Sequence, residues 1–198
     1  MGRGSLDTAK RHGGGTLSIR SLLPNAVTLL RLSLAPAAVW FILYDHLGAA
    51  FWIFTAAGLS DALDGALARL MQAQSALGSY LDALADKVLL VGVYVALGWS
   101  GLVWGWLVGL VVCRDLLLVG VAAGRYFWGA ERQVTPLLVS KVNTLAQILL
   151  AGVVLGTRGQ GLFPGWLTAP LSGVVAATTA ASGAAYLMGW SAQRRRSD

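Results

Sequence analysis

Residues 59–89 read LSDALDGALARLMQAQSALGSYLDALADKVL. Within this stretch Asp61 and Asp64 stand three residues apart, and Asp82 and Asp86 four apart. On a helix each pair therefore shares one face. The flanking segments, 48–66 and 80–99, are apolar and long enough to cross a bilayer, which takes about 20 residues per helix. The four aspartates thus fall late in one apolar stretch and early in the next, with a short connection between them. An ionisable group at the centre of a membrane helix costs about 2.5–3.5 kcal/mol even on the lenient insertion scale. Carboxylates that persist there must face a polar cavity or pair with other charges. The stretch predicts two membrane-spanning helices that bring their acidic faces together around a water-filled pocket.

Outward from this centre, four more apolar stretches of spanning length occur at 26–44, 102–124, 134–156 and 166–190, making six. Over all 198 residues, 56% are hydrophobic and 12% charged, and the mean hydropathy is +0.66. Soluble domains average ~45–50% apolar and ~25% charged residues. A water-soluble domain is excluded on that count, and so is a disordered chain, which would be polar or strongly charged. The expected fold is an all-α integral membrane bundle of six transmembrane helices with a cytoplasm-facing polar active-site cavity. It comprises a polar arm at 1–22, a helical domain at 23–191 and a basic tail at 192–198. The arm carries a flexible break at Gly13, Gly14 and Gly15 and no apolar segment with a cleavage site, so no secretory signal is expected. The single cysteine, Cys113, cannot support a disulfide framework or a cysteine zinc site and reads as packing. A GxxGxG at 156–161 follows no strand and reads as chance.

The net charge is +6. With six spans, Arg3, Lys10, Arg11, Arg20, Arg69, Arg125, Arg132 and Arg194–Arg196 lie on one side and Arg158 alone on the other. This asymmetry puts both termini in the cytoplasm. It reports topology and contact with anionic lipid, not nucleic acid. Trp40, Trp52, Trp99, Trp104, Trp106 and Trp166 fall near the opposite interface, where tryptophan concentrates.

Four carboxylates converging in a low-dielectric pocket repel one another unless cations neutralise them. Oxygen-only donors suit hard ions such as Mg²⁺ or Mn²⁺, and two such ions balance Asp61, Asp64, Asp82 and Asp86. That is the charge arithmetic of two-metal phosphoryl transfer. Gly65, Ala68 and Gly78 are small enough to let a ligand approach the backbone, and Arg69 is placed to bind phosphate at the cytoplasmic rim. Arg31, Lys87, Arg114 and Lys141 are the basic residues inside spans, and Asp115 follows Arg114. An interhelical ion pair and a phosphate site both suit Arg114 and Lys141.

Asp61, Asp64, Gly65, Ala68, Arg69, Gly78, Asp82 and Asp86 match the signature of the CDP-alcohol phosphatidyltransferase family without a gap. Eight specified positions over 26 residues make the resemblance specific, and it extends over most of the chain because that family also has six spans. The resemblance implies two Mg²⁺ or Mn²⁺ ions held by the four aspartates, with Asp86 as the base. It also implies CDP-diacylglycerol as donor, CMP as leaving group and a homodimer. Asn25, Thr28, Gly65, Ala68, Arg69 and Gly78 are then expected to contact CDP-diacylglycerol. Hydrogen bonding across helices is the other reading of Asn25 and Thr28. Arg31, Arg114 and Lys141 are expected to bind the acceptor or a phosphate.

Two flanking segments narrow the branch. Pro24-Asn25-Ala26-Val27-Thr28-Leu29-Leu30-Arg31 resembles the first-helix segment of the phosphatidylglycerophosphate and cardiolipin synthases. Ser140-Lys141-Val142-Asn143-Thr144, with Cys113-Arg114-Asp115, looks more like the mitochondrial type of cardiolipin synthase. Where the phosphatidylglycerophosphate synthases carry a second lysine, this chain has Asn143. Ala83 replaces a proline common among these relatives, at a position that is not a ligand. The resemblance therefore implies phosphatidylglycerol as acceptor and cardiolipin as product, with glycerol-3-phosphate as the alternative acceptor. It places the chain in a bacterial cell membrane, or else in the mitochondrial inner membrane. A cation transporter is the rival outside this class, but it needs polar groups reaching both faces, and the outer halves of the spans have almost none.

Overall fold

The computed structural model describes the backbone at 33–71, 76–127 and 138–194, and the side chains at 33–60, 85–120 and 138–186. These residues form helices, with no strand among them. In chain order they are α1 (Ser33–Leu43), α2 (Leu47–Met71), α3 (Ala76–Trp99), α4 (Gly105–Phe127), α5 (Leu138–Gln160), a short 3₁₀ turn (Gly165–Leu167) and α6 (Thr168–Arg194). Helices α2 to α6 run for 23 to 27 residues. At 1.5 Å per residue that is roughly 35–40 Å, more than the hydrocarbon thickness of a bilayer. Among the described residues one helix, α5, is by itself both long and apolar enough to cross a membrane.

Three of the helices stop in the same way. Asp45 (φ 60°), Gly101 (φ 70°) and Gly161 (φ 66°) each adopt the left-handed conformation just after α1, α3 and α5. After α3, the Leu102 N–H donates to the Leu97 carbonyl at 2.9 Å and the Gly101 N–H to Gly98 at 3.1 Å. That pair of hydrogen bonds is the Schellman closure, which satisfies carbonyls left over at a helix end. After α1, His46 donates to Phe41 and Asp45 to Ile42 in the same pattern. Aspartate tolerates this conformation better than most non-glycine residues. The turn over Ser100–Trp104 explains why α4 begins at Gly105, a few residues later than hydropathy predicts.

These turns gather at one end of the bundle. There α2 and α5 approach so closely that a Cβ on Gly159 would lie 2.5 Å from the Gly48 amide and 2.6 Å from the Leu47 carbonyl. Only glycine fits that crossing. The buried core runs inward from it through Ala50, Phe54, Val93, Tyr94, Leu97, Leu107, Leu150 and Val154. The outer surface is apolar as well: Trp40, Trp52, Leu59, Trp99, Trp106, Leu116, Leu145 and Trp166 are exposed.

Candidate active site

Asp61 stands ten residues before the end of α2 at Met71, and Asp86 ten residues after the start of α3 at Ala76. Along the two helices both are therefore about 15 Å from the α2–α3 connection. Asp64 and Asp82 lie nearer to it, at about 10 Å. The two pairs sit at matching depths on consecutive helices. The side chains of Asp61, Asp64, Gly65, Ala68, Arg69, Gly78 and Asp82 lie outside the described residues, as do Asn25, Thr28 and Arg31 altogether.

Asp86 is described. It is half-buried and lines a cavity of about 430 Å³ between α2, α3 and α5. Lys87, Thr55 and Thr144 are its other polar neighbours; Phe51, Phe54, Leu59, Leu89, Ile148 and Leu149 make the rest of the wall mostly apolar. A charged end joined to an apolar chamber fits an amphiphile with a polar head and an acyl chain.

Behind the cavity lies a buried polar network that ties four helices together. Asp115 on α4 is 2% exposed, and its Oδ1 accepts from Arg114 Nη1 at 2.6 Å and from Lys87 Nζ of α3 at 2.8 Å. Arg114 Nη2 donates to Ser140 Oγ of α5 at 2.6 Å and to Ser182 Oγ of α6 at 2.9 Å. Its Nε donates to Ser182 Oγ at 3.2 Å. Burying an arginine this deeply is tolerable only because its donors are matched. One turn along α5, Asn143 Oδ1 accepts from Thr178 and Thr179 at 2.9 and 2.8 Å. The Tyr94 hydroxyl donates to the Gln147 carbonyl at 3.0 Å.

Of the basic residues expected to meet phosphate, Arg114 is thus buried with its donors on Asp115, Ser140 and Ser182, whereas Lys141 is exposed. Neither lines the cavity; Lys87 does. Asn143 is fully buried and directed at α6. Its effect on acceptor choice cannot come from a side chain lining this cavity.

Sequence reasoning assigned no role to Ser182, Thr178, Thr179, Gln147 or Tyr94. A signal was available. Ser140, Asn143 and Gln147 recur every three or four residues, which makes a polar stripe along an otherwise apolar helix. Such a stripe asks for partners on a neighbour, here Thr178, Thr179 and Ser182 of α6.

The family model for CDP-alcohol phosphatidyltransferases matches residues 21–184. The chain is 39% identical over 183 residues to the chloroplastic CDP-diacylglycerol–glycerol-3-phosphate 3-phosphatidyltransferase 1 of Oryza sativa subsp. japonica, covering 83% of this chain and 55% of the relative. It is 34% identical over 149 residues to the CMP-forming cardiolipin synthase of Homo sapiens, covering 67% of this chain and 50% of the relative. It is also 40% identical over 101 residues to a putative cardiolipin synthase of Mycobacterium tuberculosis, covering 50% and 47%. The chain spans about half the length of these curated relatives. The matched segment includes the aspartate motif of α2 and α3, the Arg114–Asp115 pair of α4 and the polar stripe of α5. This chain belongs to the CDP-alcohol phosphatidyltransferase family.

Proposed function

We propose that this chain is an integral-membrane enzyme that transfers a phosphatidyl group from CDP-diacylglycerol to phosphatidylglycerol, forming cardiolipin and releasing CMP. The observation that carries the reading is Asp86 at the charged end of an otherwise apolar cavity, on the helix that also holds Asp82. A soluble substrate has no use for such a wall; a lipid does. The exposed tryptophans and leucines fit a bundle solvated by lipid, with six spans and both termini cytoplasmic.

In this reaction the acceptor hydroxyl oxygen attacks the β-phosphorus of CDP-diacylglycerol. A new P–O bond forms as the bond to the bridging oxygen breaks, and CMP departs with that oxygen. Asp86 accepts the hydroxyl proton. Asp61, Asp64, Asp82 and Asp86 would hold Mg²⁺ or Mn²⁺, which would supply the positive charge that neutralises the diphosphate. Asn25, Thr28, Gly65, Ala68, Arg69 and Gly78 contact the donor, while Arg31 and Lys141 meet phosphate from the cytoplasmic side. Arg114 fixes the buried network behind the cavity, with its donors on Asp115, Ser140 and Ser182. The apolar wall excludes water, which would otherwise attack the same phosphorus and waste the donor.

The mammalian and mycobacterial relatives named as cardiolipin synthases favour phosphatidylglycerol as acceptor. The rice relative favours glycerol-3-phosphate, since it matches 83% of this chain. One assay decides between them. Purified protein is given CDP-diacylglycerol with radiolabelled phosphatidylglycerol or radiolabelled glycerol-3-phosphate, before and after chelation. Label in cardiolipin, lost on chelation and restored by Mg²⁺ or Mn²⁺, is the expected result. Label entering lipid only from glycerol-3-phosphate makes the chain a phosphatidylglycerophosphate synthase, and CMP release from neither acceptor overturns the reading.

A further inference from the structure

We propose that Asp115 is a positioning residue that holds the Lys87 ammonium at the charged end of the α2–α3–α5 cavity, where Lys87 docks the anionic phosphate of a lipid substrate. The inference rests on the lipid-transferase reading above and assigns roles to two residues that reading does not use.

Three charged groups meet in the buried network: one carboxylate, Asp115, and two cations, Lys87 and Arg114. Their sum is one positive charge. Arg114 cannot present that charge to a ligand, because it is buried and its donors are directed to Asp115, Ser140 and Ser182. Lys87 can. Its side chain remains 27% exposed and lines the cavity immediately after Asp86. The excess charge of the network therefore appears at one place, on the ammonium beside the proposed base.

The shape of the network also argues for positioning over simple stability. Both cations converge on a single oxygen of Asp115, while its Oδ2 is buried with no hydrogen-bond partner among the described residues. A buried ion pair is weak evidence for stability, and apolar residues of similar volume would often serve as well or better. A lysine has a flexible four-carbon stem, so an anchor is needed to keep its ammonium in one place. Asp115 supplies that anchor from α4. Arg114 in turn fastens Asp115 to α5 and α6 through Ser140 and Ser182, so that the docking charge is held by helices that do not carry the aspartate motif.

The test reads Lys87 directly and does not depend on turnover. Protein in dodecylmaltoside micelles is treated with an amine-reactive reagent, and modification of Lys87 is followed by mass spectrometry. Micelles contain no added lipid, neutral diacylglycerol, phosphatidylglycerol or CDP-diacylglycerol. An anionic lipid should slow modification about fivefold, the worth of one modest ion pair, and diacylglycerol should not. Protection by CDP-diacylglycerol alone assigns the site to the donor diphosphate, by phosphatidylglycerol alone to the acceptor phosphodiester, and by both to a shared anion site. Asp115→Asn should speed modification of the lipid-free protein and abolish the protection. Equal protection by diacylglycerol, no protection by any lipid, or an Asp115→Asn protein that behaves as wild type overturns the proposal. Lys87→Met leaves the Arg114–Asp115 pair in place and covers the case in which Asp115→Asn does not fold. By titration calorimetry it should bind the protecting lipid about fivefold more weakly, and unchanged binding overturns the proposal too. A wild-type protein that shows protection but no CMP release keeps this inference and sinks the transferase reading instead.

Discussion

The two ends of the helix bundle are built on different principles. At the turn end, α1, α3 and α5 each close on a residue with positive φ, and α2 crosses α5 at a glycine contact with no room for a side chain. Its side chains are mainly aromatic and aliphatic. At the other end Lys87, Arg114, Asp115, Ser140 and Ser182 join α3 to α6, and ions are buried within the helices. The first arrangement satisfies carbonyls at the helix ends and packs backbone directly against backbone. The second accepts the desolvation of charged groups, which a bundle selected for stability alone would avoid. The proposed function is concentrated where the packing is least economical.

If this division is right, substitutions at the two ends should fail in different ways. The largest effect belongs to the proposed base. Asp86→Asn should reduce CMP release by more than about a thousandfold, while gel filtration and thermal unfolding in detergent stay near wild type. Turnover within tenfold of wild type would remove Asp86 from the chemistry and leave the polar end without its defining role.

Next comes the core of the network. Arg114→Leu takes away the bonds to Ser140 and Ser182 and leaves Asp115 with Lys87 alone. Removing one partner of a buried pair costs about 3–5 kcal/mol. A fall of roughly 10 °C in the unfolding midpoint is expected for a chain of this size. An unshifted midpoint would mean that the network contributes nothing to holding α4, α5 and α6 together.

The turn end should show the opposite signature. Gly159→Ala forces a methyl group against the Leu47 and Gly48 backbone, and overpacking of that kind costs about 1–3 kcal/mol. The midpoint should fall while kcat per folded molecule changes less than twofold. A loss of kcat without a loss of stability would tie the α2–α5 crossing to the site and break the contrast. Smallest of the four, Gly101→Ala puts a Cβ on a residue at φ 70° and should cost about 1–2 kcal/mol, with no change in KM.

The helical character of the chain and the aspartate motif were both readable in advance, for definite reasons. Uninterrupted apolar stretches leave a chain in lipid no way to satisfy its backbone except helices or closed barrels. Hydropathy placed the start of α2 and the end of α3 closely for the same reason, while their inner ends run on through the polar aspartate motif to Met71 and back to Ala76. It placed the start of α4 three residues too early, because Leu102, Val103 and Trp104 are apolar whether or not they are helical. Arg114 and Lys141 look alike as single basic residues inside apolar stretches, yet one is buried in a network and the other exposed. Nothing local to either residue separates them.

What the amino-acid order determined by itself is therefore whatever depends on neighbours within a few turns: helix type, the i,i+3 and i,i+4 pairing of carboxylates, and the motif that defines the family. Tertiary structure alone decided which helix face meets which. Arg114 reaches Ser182 across 68 residues and Gln160 meets Gly48 across 112. Apart from α5 with its polar stripe, helices this apolar carry little amphipathic pattern to orient them. Their rotation is set by close packing and by the few buried polar groups that must find partners, and both depend on the whole bundle at once.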